Sequence, residues 1–215
     1  MPGIRHIQWT SERSLRIETD APSHAISQGL RRASLPWVLD VVPADGSLLI
    51  LINPEASMPQ DPARAIVLAI DRLGNVEQQP RRHVIPVCYE PPYAPDLPDV
   101  ARLMGMALDE LVRWHTSTEF TVAFLGFAPG FGYLSGLPDG VRVPRLASPR
   151  TRLPAGSVGL AGPYTGVYAL PGPGGWRIIG RTNLVMFDAQ RQEPALLNAG
   201  DVVQFAPISA KEFAA

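Results

Sequence analysis

Thirteen of the nineteen glycines and eight of the twenty-three prolines fall between Gly126 and Gly180. Proline removes a backbone donor and glycine loses more conformational freedom on folding than any other residue, so no long helix can cross this stretch. Short β-prone pieces lie around the breakers, at 156–160, 167–170, 176–179, 183–187 and 201–205. A strong apolar run at 120–127 opens the region as a strand. Several short strands with this punctuation predict a barrel or a sandwich.

The first eighty residues have a different character. Alternating patterns at 4–9 and 14–18 predict half-buried strands. Ser23 is placed to cap a helix carrying Ala25, Ile26, Leu30 and Ala33. Strands at 38–42 and 48–52 flank a hairpin turn, Pro43-Ala44-Asp45-Gly46. Asp61-Pro62 starts a second helix, with Pro62 at its first position and Gly74 as its stop. The polar run at 78–83 reads as a linker. A strand at 84–88, a proline-fixed loop and two helices at 99–104 and 108–116 follow, the helices parted by Gly105. Leu108, Leu111 and Val112 are expected to face the core. The fold class expected is an α+β N-terminal domain over 1–80, then a mainly-β barrel domain over 84–215.

Composition narrows the function. With 215 residues, 46% of them hydrophobic, the chain can bury a sizeable core. A formal charge of −1 gives no electrostatic reason for a nucleic-acid or anionic-membrane partner. No apolar stretch approaches the ~20 residues a membrane helix needs. The first six residues lack the apolar core of a signal peptide, so a cytoplasmic location is expected. Cys88 stands alone, which excludes an internal disulfide, and the four histidines show no metal-ligand spacing. No metal site is expected.

Three glycine patterns fail as known motifs. The run 126–133 lacks the Gly-Lys-Ser/Thr ending of a phosphate loop. Gly172-Pro173-Gly174 lacks the third glycine and the helix of a dinucleotide fingerprint. Gly156-Ser157-Val158-Gly159 lacks the glycine two residues before the serine of a nucleophile elbow, so Ser157 reads as a turn or ligand-contact serine. His115 ends a helix just before the glycine-rich region. It reads either as a cation stabilised by the helix dipole or as a substrate-binding, proton-transferring group. Arg142, Arg145, Arg150 and Arg152 form a proline-punctuated cluster suited to carboxylate or phosphate, or to a solvated surface. Arg181, between two strands, reads as a more ordered cation. Trp176, Phe127, Phe131, Tyr133 and Tyr164 add an aromatic load typical of a pocket or a partner surface.

Taken together, GFAPGFGYLSGLP (126–138), VPRLASPRTRLPAGSVG (143–159) and GPGGWRIIGRTNLVMFD (172–188) are similar in order and spacing to one family. It contains the B subunit of 5-oxoprolinase, allophanate hydrolase subunit 1 and the sporulation kinase inhibitor of bacilli. The segment VIPVCYEPPYAPDLPDVARL (84–103) and His115 fit as well. The resemblance is clear over roughly 84 to 207 and looser before it.

The resemblance implies that the second domain is a cyclophilin-like β-barrel. It implies a sister chain of the C type or the allophanate hydrolase subunit 2 type, and a third chain of the A type. The assembly implied opens 5-oxoproline to glutamate at the expense of ATP, and this chain alone is expected to be inactive. A small amide held between two barrels is the expected substrate. Two alternatives stand beside it: allophanate or urea-type small-amide metabolism, and a regulatory protein that inhibits a sensor histidine kinase. The expected catalytic residues are His115, Arg150 and Arg181, with Tyr133, Ser157, Thr165 and Trp176 contacting substrate. One departure is visible. Where the family commonly carries Gly-Gly-Gln-Thr-Gly, this chain has Gly162-Pro163-Tyr164-Thr165-Gly166, which replaces an amide with a phenol.

Overall fold

In the computed structural model, residues 3–73 and 80–215 are described. The chain divides into two compact units, Met1–Gln79 and Pro80–Ala215. Gly74 and the start of the expected linker, Gln78 and Gln79, lie outside the described residues.

The first unit runs β1 (Ile4–Ser11), β2 (Ser14–Thr19), α1 (Ser23–Ala33), β3 (Val38–Ala44), β4 (Ser47–Ile52) and α2 (Pro62–Arg72). Its strands form an antiparallel sheet in the order β1-β2-β4-β3. Period-two alternation puts Leu15 and Ile17 of β2 on one face with Leu48 and Ile50 of β4, all fully buried. Ile26 and Leu30 of α1 and Ile66 and Ile70 of α2 close over them. Each such side chain contributes about 1.5–3 kcal/mol by leaving water.

Asp61 caps α2 as expected, its carboxylate accepting the Arg64 N–H at 3.0 Å. Ser23 does not cap α1. Pro22 holds that position, and the Ser23 hydroxyl donates to Ala44 O at 2.7 Å instead, tying the helix to β3. β3 itself runs to Ala44, so the turn shrinks to Asp45 and Gly46, the latter at φ +57°.

The second unit runs β5 (Arg82–Cys88), α3 (Leu97–Met104), α4 (Leu108–Ser117), β6 (Phe120–Leu125), β7 (Gly132–Ser135), β8 (Arg150–Leu153), β9 (Ser157–Ala161), β10 (Tyr164–Val167), β11 (Gly172–Gly174), β12 (Arg177–Arg181), β13 (Val202–Ile208) and α5 (Ala210–Phe213). Seven strands close a barrel in the order β10-β7-β6-β13-β5-β12-β9, while β8 and β11 pair as a separate ribbon. All barrel pairings are antiparallel except β13 with β5, which is parallel. Closure leaves the barrel itself no open edge among the described residues, which removes a route to aggregation. Ile85, Val87, Phe120, Val122, Leu134, Val158, Leu160, Ile179, Val203 and Phe205 belong to one buried core with Val100 of α3 and Leu111 of α4.

Three local expectations change. Tyr164 pairs with Ala161 across a two-residue loop of Gly162 (φ +57°) and Pro163, so β10 begins three residues earlier than periodicity suggests. Residues 183–187 form no strand and contribute only the bridge Phe187↔Ala195. Leu108 is 49% exposed, and the core face of α4 is Leu111 with His115. Among the described residues, no helix is long and apolar enough to cross a membrane.

Candidate functional site

Strands β7, β9, β10 and β12 send Tyr133, Gly159, Ala161, Tyr164, Gly166 and Ile178 away from the barrel core, towards a second, largely buried cluster. Phe131, Tyr168, Trp176 and Ile178 cluster there with Leu153 and Ala161, and Tyr133 and Tyr164 pack against them. The rings meet mostly edge to face: Phe131 and Trp176 at 5.2 Å, Tyr133 and Trp176 at 5.5 Å, Tyr133 and Tyr164 at 5.6 Å. Such pairs contribute about 0.5–1.5 kcal/mol each beyond their burial. Gly166 makes the arrangement possible. A Cβ there would lie 2.8 Å from Gly132 O and 3.2 Å from the Phe131 ring. Phe127, at φ +68°, is 64% exposed and completes the surface, its ring 5.4 Å from Phe131 and 6.0 Å from Tyr168.

Beneath this face lies a chain of polar contacts inside the core. The Thr165 hydroxyl donates to Gly159 O at 3.1 Å. Its oxygen is therefore free to accept from His115 Nε2 at 3.1 Å. That places the imidazole hydrogen on Nε2 and leaves Nδ1 to accept the Tyr89 O–H at 2.7 Å. His115 is wholly inaccessible and stacks on Phe205 at 4.4 Å. Burial lowers its pKa to about 3 and pushes the Tyr89 phenol up. His115 is thus a neutral core histidine, not a dipole-stabilised cation, and it holds β10 from behind. Tyr89 also lines an apolar groove of about 660 Å³ with Ala94, Leu97, Leu108 and Val112.

The other expected site residues are tied down. Arg150 forms a bidentate pair with Asp96, both bonds at 2.8 Å. Asp96 is 5% exposed and also accepts the Ile178 N–H at 2.6 Å. This one carboxylate joins the β8–β11 ribbon, β12 and the loop before α3. Asp96→Asn is expected to cost about 2 kcal/mol in urea unfolding, the exposed part of Arg150 limiting the loss. Arg181 Nε donates to Ala155 O at 3.1 Å, and its guanidinium sits 5.7 Å over the Phe213 ring. Ser157, its register partner, is 2% exposed and donates to Pro154 O at 2.8 Å.

The structure therefore brings the expected residues together in separate groups: His115 with Thr165, Ser157 with Arg181, and Tyr133 with Trp176. Arg150 stands with Asp96. Only the Tyr133–Trp176 group belongs to the aromatic surface. Asp96, Tyr89 and Tyr168 were not singled out by sequence. Tyr168 had a signal, since it alternates with Tyr164 and Gly166 on one face of β10 and its extension. Asp96 had none, because its partners lie far along the chain.

Residues 3–197 match the family described as carboxyltransferase domain, subdomain C and D. The chain belongs to that family. Within it, a 5-oxoprolinase B subunit from Escherichia coli O157:H7 is 38% identical over 202 residues, covering 91% of this chain and 93% of that protein. The crystal structure of TTHA0988 superposes with a TM-score of 0.75 at 32% identity, over 92% of this chain and 40% of that one. The urea amidolyase of K. lactis superposes with a TM-score of 0.74 over 97% of this chain and 15% of that one. At 18% identity, that likeness is one of fold. The aromatic face and the Asp96–Arg150 pair both lie inside the span that matches the carboxyltransferase subdomain C and D family.

Proposed function

We propose that this chain is a non-autonomous subunit of an ATP-dependent 5-oxoprolinase-like amidohydrolase, in which its aromatic face forms one wall of a small-amide site. What carries this reading is the match to a 5-oxoprolinase B subunit along nearly the full length of both chains. The surface chemistry supports a partner. Phe127, Leu184 and Val185 are exposed apolar side chains close in sequence to the face, and a sister barrel would cover them. ATP is a co-substrate of the assembly, and the glycine-rich run 126–133 serves here to join β6 to β7.

In this reading Tyr133 and Trp176 contact the amide. Thr165, Ser157 and His115 act from below, holding β9 and β10 in register. Arg150 fixes the β8–β11 ribbon through Asp96, and Arg181 fixes the strand beside Ser157. Tyr164 replaces the family glutamine with a larger aromatic wall, which favours a flat ring over an extended amide.

The test is co-expression with sister chains of the C and A types, followed by an assay for glutamate released from 5-oxoproline. Release that requires ATP and all three chains is expected, with none from this chain alone. Turnover by the lone chain would overturn the reading of a non-autonomous part. Turnover of allophanate or urea in place of 5-oxoproline would overturn the substrate, and inhibition of a histidine kinase without a co-purifying sister would overturn the enzymatic role.

A further inference from the structure

The two edges of the first unit's sheet are left in different states. Backbone bonds from Thr19 N–H to Gly46 O and from Ile52 N–H to Arg13 O fix which way β2 faces. Its odd-numbered residues bond β4, so Arg16 and Glu18 bond β1. Carried across the sheet by the register, that alternation turns the backbone groups of Val41 outward on β3 and those of Ile7 and Trp9 outward on β1. On β3 the outward groups are taken. Val41 O accepts from Ser27 Oγ at 3.0 Å and from the Arg31 guanidinium at 2.9 Å, and the Val41 N–H donates to Asp40 Oδ1 at 2.8 Å. Pro43, the next outward residue, has no N–H to offer.

On β1 they are open. β1 pairs with β2 alone, and among the described residues nothing bonds the outward N–H and C=O groups of Ile7 and Trp9. Trp9 is 48% exposed at this edge, opposite Leu15. Irregularities between Ile4 and His6 and between Trp9 and Ser11 confine regular pairing to 6–9. This short stretch is complementary to itself. Antiparallel pairing about a two-fold axis through Gln8 sets Ile7 of each copy opposite Trp9 of the other, which satisfies all four outward groups on both. Only this register pairs both residues within the regular stretch. It puts the Trp9 ring beside an isoleucine and brings no like charges face to face.

We propose that β1 is a homodimerisation edge, at which two copies of this chain join their four-stranded sheets antiparallel through Ile7 and Trp9. The outer edges of the joined sheet are then the two β3 strands, each closed by Ser27, Arg31, Asp40 and Pro43, so the assembly stops at two. The surface shares no residue with the aromatic face, and it stands or falls independently of the reaction proposed above.

Oxidative cross-linking and sedimentation velocity on the full chain test the proposal. Residues directly opposite in a non-hydrogen-bonded pair have Cα atoms about 4.5 Å apart, within the roughly 4.4–6.8 Å that a disulfide spans. Gln8→Cys, on the axis, is therefore expected to run as a cross-linked dimer on a non-reducing gel. His6→Cys is the control, because its two copies would lie about 14 Å apart along the strands and should stay monomeric on the same gel. Cys88 is buried, which leaves the introduced thiol as the reactive one. The parent chain should sediment as a concentration-dependent dimer. Trp9→Lys, which sets a cation beside Ile7 on both sides of the axis, should raise the dimer dissociation constant about tenfold or more. Unchanged melting would show that the fold of this variant is intact, and if it fails to fold the two cysteine variants decide alone. A monomeric parent at every concentration, equal cross-linking of Gln8→Cys and His6→Cys, or a dimer indifferent to a folded Trp9→Lys would each overturn the proposal. Protection of this edge only when a sister chain is present would give the edge to that chain and overturn the self-pairing.

Discussion

His115→Ala is expected to remove about 3–5 kcal/mol of stability, a large share of the about 5–15 kcal/mol a domain holds. Two effects add. Deleting the ring opens a cavity against Phe205 and Phe120 in the barrel core. It also strands the Tyr89 hydroxyl, a loss of about 1–3 kcal/mol, while the Thr165 hydroxyl keeps its bond to Gly159 O. His115→Phe separates the two, restoring the stack while deleting both bonds. Urea midpoints with an unchanged m-value would read the difference. An alanine variant that unfolds at the parent's midpoint would show that the contact chain is dispensable.

The same histidine sets a pH response whose sign is fixed. Its pKa is 6.5 when exposed and about 3 when folded, so the unfolded chain binds the proton more tightly. Its stabilising effect is complete above 6.5 and is lost as pH falls towards 3. The slope approaches about 1.4 kcal/mol per pH unit inside that window. His115→Gln, which cannot titrate, should flatten that part of the stability profile.

Gly156→Ala is expected to be about as damaging, at roughly 3 kcal/mol or more. A Cβ at Gly156 would lie 1.9 Å from Thr182 O, on a residue at φ +81°. The backbone cannot retreat, because the Gly156 N–H donates to Tyr168 O at 2.8 Å and its carbonyl accepts from Thr182 N at 2.9 Å. Gly140 provides the control. It has the same φ of +81° but nothing within 4 Å of an added Cβ, so Gly140→Ala should cost only about 1 kcal/mol. Thermal melts of the two variants would separate backbone strain from collision. Equal shifts would refute the collision.

Much of the fold was legible because it is written in local chemistry. The alternation of Leu15 and Ile17 and the Asp61-Pro62 start each need only their neighbours to be read. Gly105, at φ +66°, ends α3 for the same reason. Ser23 misled because its hydroxyl found a partner twenty-one residues away, which propensity cannot see. Residues 183–187 misled because β-prone side chains need a partner strand, and the barrel closes without them. The site was harder still. Sequence named the arginine cluster but not its division of labour, since Arg150 becomes structural only through Asp96, fifty-four residues earlier. His115 stands out in the sequence as a candidate proton-transfer group, yet its neutrality follows from burial, which one helix cannot reveal.

The parallel pairing of β13 with β5 has a consequence for the order of events in the cell. Those strands lie at opposite ends of the second unit, and every register partner from Val202↔Arg82 to Ile208↔Cys88 spans almost all of it. A ribosome must therefore deliver β13 before the ring can shut, and until then β5 and β6 wait with unpaired flanks. Contacts so distant in sequence make assembly slow relative to a helical protein of equal length. A nascent chain stalled before residue 202 would present open strands to whatever is nearby, making the arrival of β13 the point at which an aggregation-prone intermediate becomes a sealed barrel.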